Sequence, residues 1–166
     1  SSAVAYLHDG SILHRDIKPP HILVKLQPLA VALSEFGASR EILPLGLDQA
    51  PEQPMTPKMV TVYYRAPEIR MGQTYVLPSD VWSTGLTFVD VEQGHHPFQI
   101  ETEFKLVHEL FQTVGGRFKN LELCTTLVNQ SARKWGETYG GEFQAVVDSM
   151  LVFDPDDRIS SVSYTH

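Results

Sequence analysis

Cysteine is almost missing from this chain: Cys124 is the only one among 166 residues. That excludes an internal disulfide and any cysteine-cluster metal site, and it fits a reducing compartment. Long apolar runs are missing too, and no stretch approaches the roughly 20 residues that cross a bilayer as a helix. Ser1 to His8 carries neither the basic leader nor the apolar core of a signal peptide, so an intracellular location, cytoplasmic or nuclear, is expected. Positive charge is the scarcer sign: 13 Lys and Arg stand against 20 Asp and Glu, for a net charge of -7. A general nucleic-acid or anionic-membrane binder needs the opposite balance. What is present is a 42% apolar chain, long enough for one domain with a sizeable core.

The densest chemistry lies in Ile12 to Val24, ILHRDIKPPHILV. His14, Arg15, Asp16 and Lys18 stand in a polar turn between apolar segments, and Pro19 and Pro20 lead into Ile22, Leu23 and Val24. Upstream, SSAVAYLH reads as the end of a helix, with Ala3, Val4 and Leu7 on one face and Asp9-Gly10 stopping it. Downstream, Ile22 to Val24 and Ala30 to Leu33 read as short strands about a turn at Gln27-Pro28. Ala38 to Met59 has no period and is rich in Pro, Gln and Gly, which predicts a surface loop. Ser79 to Glu92, SDVWSTGLTFVDVE, reads as a buried helix behind a capping turn. Glu103 to Val114 reads as an amphipathic helix ended by Gly115-Gly116, with Phe104, Val107, Leu110, Phe111 and Val114 on its apolar face. Leu121, Leu123, Leu127 and Val128 are apolar anchors in the stretch that follows, and Phe143, Val146, Val147 and Met150 mark a last helical face. The fold class expected is mainly α, in an α+β setting with a short β hairpin.

Taken together, these segments resemble the catalytic domain of eukaryotic protein kinases. HRDIKP, from His14, is similar to the family's catalytic loop. SEFG, Ser34 to Gly37, stands at its D-F-G position. VTVYYRAPE, Val60 to Glu68, is similar to the end of its activation segment, and the YR before APE is typical of the cyclin-dependent and mitogen-activated branch. SDVWSTG is similar to the central helix, and Asp154, Pro155, Arg158 and Ile159 form the closing DP-x-x-R-I element. The resemblance implies one partial domain over 1–166, a kinase-like large C-terminal lobe. Within it the catalytic loop spans 12–24, the activation segment 35–68, the central helix 79–92 and the closing element 154–159. It also implies that the small N-terminal lobe, with a Gly-rich loop over the phosphates and a paired lysine, is absent from these residues.

By the same resemblance, Asp16 accepts or orients the hydroxyl of a substrate Ser or Thr, and Lys18 neutralises the transferring phosphoryl. His14 supports the loop without doing chemistry. Arg15 pairs with a phosphate or carboxylate of the activation segment, where Thr56 stands at the position of the regulatory phosphothreonine. Thr61 anchors Asp16 and Lys18, and Val62 and Tyr63 shape the shelf beside the phosphoacceptor. Leu23 floors the adenine pocket, although its residue type reads equally as hairpin core. Asp80 binds backbone of the catalytic loop, Trp82 and Gly85 allow close packing, and Glu68 forms a buried ion pair with Arg158. Two positions depart from the family pattern. His21 stands where the family has a metal-binding Asn, and Glu35 where it has the D-F-G Asp. The extra methylene of Glu displaces the carboxylate by roughly 1.5 Å, while magnesium demands near-ideal distances of about 2.0–2.1 Å. An imidazole is a poor match for so hard a cation. Nor do His14, Asp16, His21 and Glu35 read as a transition-metal site, because the family's geometry turns His14 inward. No metal or cofactor is therefore expected for the isolated chain, and ATP and magnesium are implied by resemblance only.

Three functional readings remain open on these residues. The first is a pseudokinase-like scaffold that binds a protein through the activation segment or the Phe104 helix. The second is part of an ATP-dependent serine/threonine kinase of the cyclin-dependent branch, and the third a remnant that folds without function. Apolar residues near Leu23 and Leu33 would need cover, from a protein partner, from the missing lobe or by self-association. Neither a nucleic-acid nor a membrane partner is expected.

Overall fold

The computed structural model describes residues 2–42, 64–70, 73–94, 113–114, 117–118 and 141–163. In chain order they form α1 (Ser2–Asp9), β1 (Ile12–Leu13), β2 (Ile22–Leu26), β3 (Leu29–Leu33), β4 (Arg40–Glu41), α2 (Pro67–Arg70), α3 (Leu77–Gln93), β5 (Thr113–Val114), β6 (Arg117–Phe118) and α4 (Gly141–Met150). Among the described residues no helix is long and apolar enough to cross a membrane.

The organising element is α3. It starts at Leu77, earlier than the Ser79 that its sequence suggests as the cap. Val76 is the extended N-cap, Pro78 sits in the first turn where its missing N–H costs nothing, and Ser79 Oγ accepts the Val76 N–H at 3.2 Å. The helix ends where Gly94 turns left-handed (φ 70°) and donates its N–H to Asp90 O at 2.9 Å. Trp82, Leu86 and Val89 carry the buried face into a cluster with Leu13, Val147 and Phe153. At Gly85 the close approach of α4 demands glycine, since an added Cβ would lie 3.0 Å from both Met150 Cβ and Leu151 Cδ2.

Among the described residues there are three two-stranded sheets. β1 pairs antiparallel with β4, Leu13 opposite Arg40, which returns the chain after SEFG to the start of the catalytic-loop segment. β2 and β3 form a hairpin from Ile22↔Leu33 to Leu26↔Leu29, with Gln27 and Pro28 as its turn. These strands are longer than their apolar runs predict, because the tight turn lets pairing continue to its edge. β5 and β6 pair Thr113 with Phe118 and Val114 with Arg117. The amphipathic helix expected through Val114 therefore does not include its last two residues. Those two residues are paired in an antiparallel strand instead, and Gly115-Gly116 lies outside the described residues. The rest of that expected helix, with Phe104, Val107, Leu110 and Phe111, lies outside the described residues, as do Leu121, Leu123, Cys124, Leu127 and Val128. The buried face of α1 is also rotated from the expected one. Val4, Ala5 and His8 point inward, Leu7 is half-buried and Ala3 is exposed. The cause is His8, which is drawn inward by polar partners on α3 and beyond α4.

One ion pair ties the far ends of the fold together. Arg158 Nη1 and Nη2 donate to Glu68 Oε1 and Oε2 at 2.9 and 3.1 Å, and both side chains are buried. Ser79 Oγ donates to the same Oε1 at 2.8 Å. Further along α3, the Tyr64 hydroxyl donates to the Asp90 carboxylate, and Ser83 Oγ donates to Tyr64 O at 2.9 Å, pinning the residues before α2 along α3.

Two tests follow from these contacts. Arg158→Ala strands the Glu68 carboxylate and should cost about 3–5 kcal/mol in urea unfolding. Arg40→Ala removes an exposed guanidinium that donates only to Ser39 O in its hydrogen bonding to described residues, and should change stability by less than about 0.5 kcal/mol; equal midpoints would refute the assignment. Tyr64 is held protonated, first by burial and then by the hydrogen bond and negative charge of Asp90. Its folded pKa is raised, so its contribution is fully present below the ordinary value of about 10 and is lost as pH rises from there through the raised value. Stability of the native chain should therefore fall more steeply above about pH 10 than that of Tyr64→Phe, and parallel curves would count against it.

Candidate functional site

The polar turn at residues 14–18 owes its shape to one buried carboxylate from the first turn of α3. Asp80 Oδ2 accepts the His14 N–H at 2.7 Å, and Oδ1 accepts the Arg15 N–H at 2.9 Å. His8 Nε2 approaches the same Oδ2 at 3.3 Å, while its Nδ1 meets Ser161 Oγ at 2.8 Å. His14 is fully buried. Its Nδ1 accepts the Asp16 N–H at 3.3 Å, which leaves Nε2 to donate to Ser34 O at 2.9 Å. The Phe36 ring meets the imidazole edge-on at 5.0 Å between centroids. Ser34 Oγ and N–H both donate to His21 O, at 3.0 and 2.9 Å. The catalytic-loop segment and the SEFG segment are thus one hydrogen-bonded unit.

Within that unit Arg15 (φ 71°) and Glu35 (φ 66°) adopt the left-handed backbone region. For a non-glycine residue this costs about 1 kcal/mol or more, and such residues concentrate at functional sites. The guanidinium of Arg15 lies over the Tyr75 ring, 4.7 Å from its centroid. Lys18 Nζ donates to Asp16 Oδ2 at 2.9 Å. His21 Nδ1 donates to the backbone oxygen of Asp16 at 2.7 Å and lies 3.5 Å from its Oδ2. The Asp16 carboxylate, flanked by this ammonium, has lone pairs left to accept a hydrogen bond from a hydroxyl.

Other candidates are placed differently. Leu23 is 57% exposed, so the hairpin-core reading of it fails; alternation along β2 turns it away from the face that packs inward. Glu35 is exposed. Thr56, Thr61, Val62 and Tyr63 lie outside the described residues. Among the described residues no three His, Cys, Asp or Glu side chains are arranged to hold a metal ion. His21 supplies nitrogen rather than oxygen, and its Nδ1–H is committed to Asp16 O. These residues do not fit magnesium.

His8 and Ser161 were not legible as partners in the sequence, being 153 positions apart with no motif between them. The same holds for Tyr75 beneath Arg15 and for Asp90 beside Tyr64. The one signal available was the apolar period of α1, which places His8 one turn from Val4.

A sequence model of the protein kinase domain matches residues 1–166.

Asp80→Asn should replace one charged acceptor by an amide and cost about 1.5–3 kcal/mol. It should also speed hydrogen exchange at the His14 and Arg15 amides. Asp148→Asn, at an exposed helical position bonded to Gln144, should do neither. Unchanged exchange in the Asp80 variant would show that the loop keeps its shape without that carboxylate.

Proposed function

Since this chain belongs to the protein kinase domain family, we propose that it is a pseudokinase-like scaffold of the cyclin-dependent branch, binding a protein partner rather than transferring phosphate. The observation that carries the reading is the bond from His21 Nδ1 to Asp16 O at 2.7 Å. It keeps the loop closed with a side chain that offers no oxygen to a metal. Glu35 supports the same reading from the other metal-holding position, since its longer side chain sits on an exposed left-handed residue. The branch rests on the YR before APE at 64–68. An intracellular location, cytoplasmic or nuclear, accords with the single cysteine.

A second reading, part of an ATP-dependent serine/threonine kinase, is favoured by the Asp16–Lys18 pair at 2.9 Å. That pair is the proton acceptor and cation that phosphoryl transfer uses. The two readings differ in what the metal positions can do, because in this chemistry positioning and charge neutralisation supply nearly all of the catalysis.

Calorimetric titration with ATP and either magnesium or manganese should show no saturable binding below about 100 μM. Radiolabelled phosphate transfer to a basic substrate, present in the native chain and abolished by Asp16→Ala, would establish the kinase reading instead.

A further inference from the structure

Two buried side chains outside the loop bear on the carboxylate that shapes it. His8, in the last turn of α1, has a partner on each ring nitrogen. Nε2 lies 3.3 Å from Asp80 Oδ2, and Nδ1 lies 2.8 Å from Ser161 Oγ. All three residues are buried. Ser161 is set in place by the segment after α4. The Ile159 N–H donates to Ser149 O at 3.1 Å, and Arg158 is anchored to Glu68. A turn from Ser160 closes when the Ser163 N–H donates to Ser160 O at 3.1 Å. A path of hydrogen bonds thus runs from the closing segment through His8 of α1 to Asp80 of α3, and on to the amides of His14 and Arg15.

We infer that Ser161 is a positioning residue for the catalytic-loop segment, acting through His8 and Asp80. The proposal goes beyond the scaffold reading and holds whether or not the chain transfers phosphate. Arg15 sits in left-handed backbone at φ 71°, a conformation that persists only where the surrounding contacts over-determine it. Asp80 Oδ1 holds its amide, so the loop is fixed no better than that carboxylate is. A histidine held at one nitrogen can still turn about its Cβ–Cγ bond. Held at both, it turns only by breaking a bond. The Ser161 hydroxyl suits the second nitrogen because it both donates and accepts. Nε2 carries a hydrogen toward the Asp80 carboxylate. With the ring neutral, Nδ1 accepts the Ser161 O–H; with both nitrogens protonated, Ser161 Oγ accepts the Nδ1–H. Alanine would meet neither need and would leave a buried ring nitrogen unpaired.

Amide hydrogen exchange of the full chain, followed by NMR, is the test. Ser161→Ala should speed exchange at His14 and Arg15 by at least about tenfold relative to Leu86 in the middle of α3, whose rate reports general loosening. Ser161→Thr and Ser161→Val add nearly the same volume to the buried site, and only Thr keeps the hydroxyl. Thr should therefore retain slow exchange at both amides, while Val should behave like Ala. The nitrogen resonance of His8 Nδ1 should move in the Ala and Val variants and stay near its native position in Thr. Ser160→Ala, at the exposed neighbour whose hydroxyl bonds to Ser163, should change neither readout. In a His8→Gln background, Ser161→Ala should add less than about twofold to loop exchange, because the path is already cut. If one apolar variant is too unstable to measure, the other is compared with Thr. Equal loop exchange in Thr and in the apolar variants overturns the proposal. An undiminished effect of Ser161→Ala in the His8→Gln background overturns it as well, since Ser161 would then act without His8.

Discussion

The rest of the structure depends on Arg158 and Glu68. A guanidinium has five N–H donors in a fixed plane, and here each has an acceptor. Glu68 Oε1 and Oε2 take two, and the carbonyl oxygens of Pro78, Val152 and Phe153 take the others. The Trp82 ring lies against the guanidinium, its centroid 5.2 Å from Cζ. One side chain thereby joins the closing segment, α2, the start of α3 and the segment after α4. Desolvating such a pair is costly, and only complete satisfaction of its hydrogen bonds makes the burial tolerable. A lysine would leave most of these acceptors unmet, because it lacks the planar fork.

From the same first turn of α3, Asp80 shapes the catalytic-loop segment one layer further in. It works through the backbone amides of His14 and Arg15, while the His21 side chain closes the far end of the loop on Asp16 O. His14, Ser34 and Asp80 hold the backbone in place, His21 adds its own bond to Asp16 O, and Glu35 is exposed.

The hairpin is the opposite case. Its strands hold each other, yet its aliphatic face finds only partial cover against α1 and α3. A two-stranded ribbon is marginal by itself, so this one depends on its contacts with α1 and α3.

By itself the sequence determined the order of elements, the family resemblance, the charge and the pairing partners that motifs name, such as Glu68 and Arg158. Local period and turn chemistry are properties of a few neighbouring residues, so α1, α3, α4 and the β2–β3 turn could be read directly. Boundaries slipped where tertiary contacts outweighed local signals: Ser79 lies inside α3 because Glu68 takes its hydroxyl, and α1 rotates because His8 reaches Asp80 and Ser161. Only the tertiary structure decided that Leu23 is exposed, that Arg15 rests on Tyr75, and that His21 spends its Nδ1 proton on the loop's own backbone. Those outcomes depend on which surfaces meet and how side chains share a buried space, and neither composition nor spacing carries that information.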